Sequence, residues 1–188
     1  MLPNPEENLD PRVKRTRSLI LQSFSDLLAE KSFESISVKN VTDQAEINRA
    51  TFYAHFQDKF ELLDFSIQQM FFAEIESRTL NVCSYSPDNL RNLMVAVCEF
   101  VSKLHTSCNQ PHQQFESLVE GTIKKQIYDL LNYWLRNANI PTEIPVTVVT
   151  WAIYGLAVHY SHTPKRPALD RFVDEAFPFV AINLEQVH

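Results

Sequence analysis

Glycine is scarce in this chain, with only Gly121 and Gly155 among 188 residues. Folds rich in β-hairpins need many turns with positive φ, which glycine adopts most readily, so this scarcity favours helices throughout. Two glycines also cannot build a glycine-rich loop around a phosphate group. The chain contains neither G-x-S-x-G nor H-E-x-x-H, and its carboxylates show no paired placement, so no enzyme activity is predicted.

Cysteine and long apolar runs are also scarce. The three cysteines, Cys83, Cys98 and Cys108, form no C-x-x-C pair, which suits free thiols in a reducing cytoplasm. The longest mainly apolar stretch, 146–160, is shorter than a membrane span, and the first ten residues carry no apolar signal-peptide region. We therefore expect a soluble cytoplasmic protein that does not contact a membrane.

The distribution of charge is more informative than the net charge of −6. Residues 12–63 hold eight Lys or Arg against seven Asp or Glu, whereas 64–188 hold nine against thirteen, and 1–11 form an acidic arm that we expect to be disordered. The only segment without an acidic excess is thus 12–63. A segment of this kind is the best candidate for contact with a polyanion.

The first helix of that segment is predicted to begin with Asp10 as N-cap and Pro11 at its first position. Cations at a helix N-terminus oppose the helix dipole, which suggests that they serve another purpose, such as contact with DNA phosphates. A solvated, slightly frayed helix end is the alternative. The four cations are Arg12, Lys14, Arg15 and Arg17.

The stretch 37–63 has the pattern of a DNA-binding helix-turn-helix followed at once by another helix. Ser37 and Asn48 are good N-caps for its two short helices. Phe52 and Phe56 lie four residues apart and are predicted to face inward. The second helix then presents Arg49, Ala50, Thr51, Tyr53 and Ala54 on its other sides.

A further helix is predicted to start at about Lys59, because Asp58 and Glu61 form a D-x-x-E variant of the capping box. This segment resembles the N-terminal domain of the TetR family of bacterial transcriptional regulators. The matching pieces are a first helix over 15–28, followed by SVKNVTDQA, INRATFYAHF and DKFELL. The resemblance covers about residues 12–63.

The resemblance implies specific roles for residues of this segment. Arg49 and Ala50 would reach base edges, Thr51, Tyr53 and Lys59 would contact phosphates, and His55 would have a packing or phosphate role. With the capping residues Ser37 and Asn48 and the four cations of the first helix, these form the predicted DNA-binding set.

Two positions depart from the family pattern. The turn usually carries glycine, where this chain has Glu46; a Glu at positive φ costs on the order of 1 kcal/mol. The fourth helix usually reads K-E after its cap, where this chain has Lys59-Phe60. Both departures bear on DNA affinity more than on the fold.

Beyond residue 63 the apolar spacing predicts a helical bundle, so the fold class is all-α, with an N-terminal helix-turn-helix domain (12–63) and a C-terminal regulatory and dimerisation domain (64–188). The fourth helix is predicted to run to about Leu80 and to belong to both. Gly121 is expected to split one later helix, and Pro178 to kink or end the last.

The last two helices are predicted to form a homodimer interface, as in the resembled family, because 146–160 is apolar nearly all round. An ordinary monomer core is the alternative. The predicted interface residues are Trp151, Gly155, Val158, Leu169, Phe172, Val173 and Phe177.

A small-molecule pocket inside the bundle is implied by the resemblance, although an aromatic or Met residue at helical spacing is more often simply core. The candidate lining residues are Phe72, Met94, Cys98, Phe115, Tyr128, Trp134, Trp151 and Tyr154. A metal site at His105, Cys108 and His112 is rejected because a fourth ligand is missing and Pro111 interrupts the segment; His159 and His162 are a weaker candidate still.

The chain is therefore predicted to be a homodimeric repressor that binds a palindromic operator in double-stranded DNA and releases it on binding an unknown small-molecule effector. No cofactor or metal is predicted. Two alternatives remain open: a co-regulator of the same fold that acts through a protein partner, and a ligand-independent DNA organiser that acts at many sites.

Overall fold

The computed structural model describes residues 10–78, 84–107, 113–136 and 142–184, and within these ranges every regular element is helical. The predicted all-α class is confirmed. A 3-10 turn lies at Phe33–Ser35 between the first two helices. The helices are α1 (Pro11–Glu30), α2 (Val38–Gln44), α3 (Arg49–Tyr53), α4 (Lys59–Arg78), α5 (Pro87–Ser107), α6 (Gln113–Leu135), α7 (Glu143–His162) and α8 (Leu169–Ala181).

Helices α1 to α3 and the start of α4 enclose an aromatic core. Phe24, Phe52 and Phe56 are buried, and the ring of Phe33 packs edge-on against Phe24, with centroids 6.2 Å apart. The ring centroids of Phe56 and of Phe65 in α4 lie 5.5 Å apart. Because these rings come from α1, α3, α4 and the 3-10 turn, they fix the angle between the short helices, which have little stability of their own.

Helix α4 belongs to both parts of the molecule. Its first half packs in the aromatic core through Phe65, and its second half packs on α5, where Phe71 and Phe100 lie with ring centroids 5.4 Å apart. The predicted boundary after residue 63 falls inside this helix, and the division into domains stays a prediction. A displacement of the second half of α4 would move helices α1 to α3, which pack around its first half.

Helix α7 is the central helix of the bundle and packs against α5, α6 and α8. At 20 residues it is longer than the predicted apolar stretch, and by length and composition alone it could span a membrane. Val146, Val149 and Ile153 are buried in the core, as expected of an inner face.

Neither Gly121 nor Pro178 ends the helix that contains it. Helix α6 runs without interruption through Gly121, because a glycine on an exposed helix face weakens a helix without ending it. Helix α8 continues past Pro178 to Ala181, where its packed neighbours Val180 and Ala181 are buried. Burial of this last turn offsets the missing proline N–H.

Candidate nucleic-acid interface

The turn between α2 and α3 is a Schellman motif built around Glu46. The N–H of Ile47 donates to the Thr42 carbonyl at 3.0 Å, and the N–H of Glu46 donates to the Asp43 carbonyl at 3.4 Å. This geometry requires a left-handed residue at the turn, and Glu46 has φ 53°. The strain expected from a glutamate at this position is therefore present.

Both short helices begin with the predicted caps. Ser37 Oγ accepts from the N–H of Asn40 at 3.2 Å, and Asn40 Oδ1 accepts from the N–H of Ser37 at 2.9 Å, which completes a capping box. Asn48 Oδ1 accepts from the N–H of Thr51 at 2.7 Å and from its hydroxyl at 3.0 Å. The side-chain oxygens of these candidate DNA contacts thus also hold the ends of their helices.

Helix α3 has the two faces that were predicted. Phe52 is buried, and Phe56, just beyond the helix, is buried beside it, whereas Arg49, Ala50 and Tyr53 are exposed. Phe52 also fixes the Tyr53 ring in an edge-on contact at 5.6 Å. The exposed face therefore presents a guanidinium, a methyl group and a phenol on a rigidly packed helix, the combination that a major-groove helix uses.

The start of α4 is held by a reciprocal cap. Asp58 Oδ1 accepts from the N–H groups of Phe60 and Glu61 at 2.8 and 2.9 Å, and Glu61 accepts from the N–H of Gln57 at 2.5 Å. The prediction that α4 starts at about Lys59 is confirmed. Its cap is formed by side chains within four residues of each other.

Lys59 lies in an arrangement that the sequence did not predict. Its ammonium donates to the carbonyls of Phe33, Glu34 and Ile36 at 3.0, 3.1 and 2.9 Å. An ammonium has three N–H donors, so all of them are used within the chain. This geometry favours a structural role for Lys59, as a tether that joins α4 to the 3-10 turn, over the predicted contact with a phosphate. A substitution of Lys59 can distinguish the two roles.

Arg17 is half-buried against the aromatic core that α1 to α4 enclose. Its guanidinium lies over the rings of Phe65 and Phe56, at 4.9 and 5.4 Å from their centroids. Burial, followed by the charge of Arg17, lowers the pKa of His55 below its ordinary value. His55 is therefore neutral at neutral pH, which favours its packing role over that of a cationic phosphate contact.

The remaining cations of the predicted set are more accessible. Arg12, Arg15 and Arg49 are exposed and Lys14 is half-buried. Asp10 caps α1 by accepting from the N–H of Arg12 at 2.7 Å, as predicted. Arg12 and Arg15 thus lie in the first turns of a capped, well-formed helix, and a frayed helix end does not explain their position.

A cavity of about 350 Å³ lies between α5, α6 and α7. Its apolar lining consists of Val101, Leu104, Val119, Ile123 and Val158. Its polar lining consists of His105, Glu116, Tyr154, Ser161 and His162. Each set includes residues from all three helices.

Among the predicted pocket residues whose side chains the structure describes, only Tyr154 lines this cavity. Met94, Cys98 and Trp134 are buried in the closed core, and burial with the nearby Glu99 raises the pKa of the Cys98 thiol to about 12. Trp151 is largely exposed on the outer face of α7. Phe72 and Tyr128 are half-buried elsewhere, and the Phe115 side chain lies outside the described residues, as do Cys83, Cys108 and His112.

The predicted dimer interface needs correction. Val173 is 0% exposed, so its side chain is used in the core of its own chain. Leu169, Phe172 and Phe177 are partly buried against that same core, and Val158 lines the cavity. Trp151 and Gly155 are exposed, in agreement with an outer face.

Other apolar side chains are exposed on these helices and were not predicted. Ile144, Val148 and Trp151 form a stripe along α7, and Phe179 and Ile182 project at the end of α8. Phe179 is 78% exposed and Ile144 is 76% exposed. We call these five residues the apolar α7–α8 face. The spacing of 144, 148 and 151 was visible in the sequence, but the burial that separates them from their apolar neighbours was not.

The fold and this site define an all-helical protein with a helix-turn-helix DNA-binding domain. Residues 20–64 match the family described as bacterial regulatory proteins, tetR family. These residues therefore form a DNA-binding domain of the tetR type. Over 65 residues it is 43% identical to the uncharacterized HTH-type transcriptional regulator YxbF of Bacillus subtilis (strain 168), a match that covers 34% of this chain and 17% of that protein.

Solved structures extend the similarity in fold to the rest of the chain. A TetR-family regulator from Streptomyces coelicolor A3 has a TM-score of 0.67 at 15% identity, with 97% of this chain and 98% of that chain covered. FadR from Bacillus subtilis, in complex with stearoyl-CoA, has a TM-score of 0.54 at 11% identity, with 91% and 99% covered. The arrangement of the helical bundle is therefore that of TetR-family regulators.

Proposed function

We propose that this protein is a transcriptional regulator that binds a palindromic operator as a homodimer and releases it, as a repressor, when a small molecule binds. The observation that carries the proposal is the exposed face of α3, which is held by the buried Phe52 and capped by Asn48. A rigid helix with an exposed Arg49 at its N-terminal end is suited to enter the major groove.

The DNA contacts divide into two kinds. Arg49 and Ala50 lie at the start of α3, where a guanidinium pairs best with a guanine edge and a methyl group with thymine. The Tyr53 hydroxyl and the exposed guanidinium groups of Arg12 and Arg15 are suited to phosphates, which fix register without sequence preference. The Thr51 hydroxyl would have to leave Asn48 Oδ1 to donate to a phosphate. Lys59 supports this surface from inside by its three carbonyl contacts.

The apolar α7–α8 face supports the homodimer. Large side chains that are more than half exposed, such as Trp151, Phe179 and Ile182, mark a surface that a second protein covers. A two-fold axis through this face would place the same residues of both copies against each other. Two α3 helices related by that axis would then meet two half-sites of an inverted repeat.

The cavity supports the response to a small molecule. Val119 and Ile123 of α6 line it, and Thr122, which lies between them, donates a hydrogen bond to Asp64 of α4. A ligand that favours one position of α6 would therefore act on the helix that carries the DNA-binding head. The stearoyl-CoA bound to FadR shows that a protein of similar fold holds a small molecule.

Selection of bound duplexes from a random DNA pool by the purified protein tests the proposal. Enrichment of an inverted repeat would support a sequence-specific dimer. If the protein is folded and dimeric but enriches no sequence, the proposal fails, and a co-regulator that acts through a protein partner or a non-specific DNA organiser takes its place. A control selection with Arg49→Ala shows whether the motif depends on α3.

A further inference from the structure

Two histidines from different helices meet at the mouth of the cavity. His105 of α5 and His162 of α7 are exposed, and their ring centroids lie 4.5 Å apart. In the sequence, His105 belongs to the rejected metal-site candidate with Cys108 and His112. His162 belongs to the weaker candidate with His159. The fold pairs them with each other at a cavity that five apolar side chains also line.

The hydrogen bonds around the two rings define their tautomers. The Val158 carbonyl can only accept, so His162 Nδ1, at 2.9 Å from it, carries a hydrogen. Ser161 Oγ lies 2.8 Å from the same carbonyl and 2.7 Å from His105 Nδ1, so a hydroxyl that donates to the carbonyl accepts from His105 Nδ1. In this arrangement both neutral rings keep the lone pair of Nε2 as a hydrogen-bond acceptor.

The groups around His105 favour this neutral state. Burial, and then the neighbouring His162, lower the pKa of His105 below its ordinary value; Arg166 adds to this effect and Glu116 opposes it. Arg166 is exposed, and its Nη2 donates to the Ser161 carbonyl at 2.8 Å. Solvent therefore screens much of its charge.

The mouth of the cavity is consequently rich in acceptors. Glu116 lines the same cavity as the two histidines. Burial, with Glu120 and Glu116 nearby, raises the pKa of Tyr154 to about 12, so its hydroxyl stays protonated and adds no negative charge. Two neutral acceptors and one anionic acceptor suit a head group that is positively charged and carries several N–H donors.

We propose that this cavity binds an amphipathic amine, whose ammonium group donates to His105, His162 and Glu116 and whose apolar body lies between α5, α6 and α7. This inference rests on the proposed response to a small molecule and names its chemical class. The volume of about 350 Å³ lies within the usual range for small-molecule sites. An acid of the same shape would meet three acceptors and bind poorly at neutral pH.

Calorimetric titration of the full-length protein without DNA tests the inference, with octylammonium as the probe and octanoate as its matched acid. At pH 8 we expect one octylammonium per chain and an affinity for octanoate at least about tenfold lower. As the pH falls from 8, octylammonium should bind more weakly, because a protonated His105 repels it and no longer accepts. Octanoate should bind more tightly over the same range.

Variants separate this site from general apolar binding. Glu116→Gln, at an exposed position, and the double variant H105F/H162F should each weaken octylammonium about tenfold or more. His159→Phe is the matched control on α7, because His159 does not line the cavity, and it should bind as the wild type does. Folding of each variant is checked by circular dichroism.

Failure of octylammonium to bind, tighter binding of octanoate at pH 8, or equal binding by all variants would overturn the inference. These outcomes are distinct from failure of the proposed function, because no DNA is present. A protein that selects an inverted repeat but binds no octylammonium contradicts only the ligand class. If the protein binds octylammonium but selects no DNA, only the proposed function as a DNA-binding regulator is contradicted.

Discussion

Thr122 of α6 donates a 2.5 Å hydrogen bond to Asp64 of α4, and this bond joins the cavity-lining helix to the helix that enters the DNA-binding head. Thr122 is only 6% exposed, and the other carboxylate oxygen of Asp64 accepts from Gln68 at 2.7 Å. The position of α4 is therefore set partly by a single buried hydroxyl. Any ligand that moves α6 acts directly on this bond.

Thr122→Val removes this hydroxyl at nearly constant volume. We expect the free energy of unfolding to fall by about 1–3 kcal/mol, because the bond is to a charged acceptor and Asp64 is left with one side-chain partner. Urea denaturation followed by circular dichroism measures this change. Thr122→Ser, which keeps the hydroxyl, is the control. Equal stability of the Val and Ser variants would show that the bond does not contribute to the free energy of unfolding.

Lys59→Met distinguishes a structural tether from a phosphate contact. Because three carbonyls lose their donor, we expect a loss of about 2 kcal/mol in the free energy of unfolding. The dependence of DNA affinity on salt should stay the same.

The matched variant for this test is Arg15→Ala, at an exposed cation of α1. It should leave stability unchanged and lower the slope of log K against log salt by about 1. If instead Lys59→Met kept its stability and lowered that slope, Lys59 would be the phosphate contact and the tether would be incidental.

Glu46→Gly should stabilise the protein. The left-handed φ of 53° is unfavourable for glutamate and not for glycine, so we expect a gain of about 1 kcal/mol, or about 2–4 °C in the melting temperature. Differential scanning calorimetry measures the gain. Glu46→Gln keeps the backbone strain and removes only the charge, so an equal gain in that variant would assign the effect to charge.

Phe179→Glu and Ile144→Glu test the apolar α7–α8 face. Each charge would occur twice in a symmetric dimer and be desolvated there, so the dissociation constant of the dimer should rise about tenfold or more. Sedimentation velocity over a range of concentrations gives the change. Met70→Glu, at an exposed apolar residue of α4, should not alter the association state. Unchanged dimers in all three variants would place the interface elsewhere.

The sequence predicted those parts of the site in which partners are close along the chain. The caps at Ser37, Asn48 and Asp58 each join groups two or three residues apart, so local chemistry decides them. The inward Phe52 and outward Arg49 follow from helical spacing alone. The left-handed conformation of Glu46 was expected from the resemblance to the TetR family, in which this turn usually carries glycine.

The remaining features depend on tertiary packing. His105 and Ser161 are 56 residues apart, and the carbonyls that hold Lys59 lie 23 to 26 residues before it, so no local pattern marks them. Helix α7 is apolar on several faces, and its sequence therefore does not show which face packs inside. This is why Val158 of α7 was assigned to the interface, although it lines the cavity.

The most direct test of base recognition by α3 compares wild type and Arg49→Ala on the selected duplex and on its single-base variants, by fluorescence anisotropy at fixed salt. If Arg49 contacts a guanine edge, the variant loses about 1–3 kcal/mol on the selected duplex and loses discrimination at one position of each half-site. Discrimination at all other positions stays unchanged. A uniform loss of affinity on every duplex, with discrimination intact at all positions, would contradict the assignment of α3 as the helix that recognises bases.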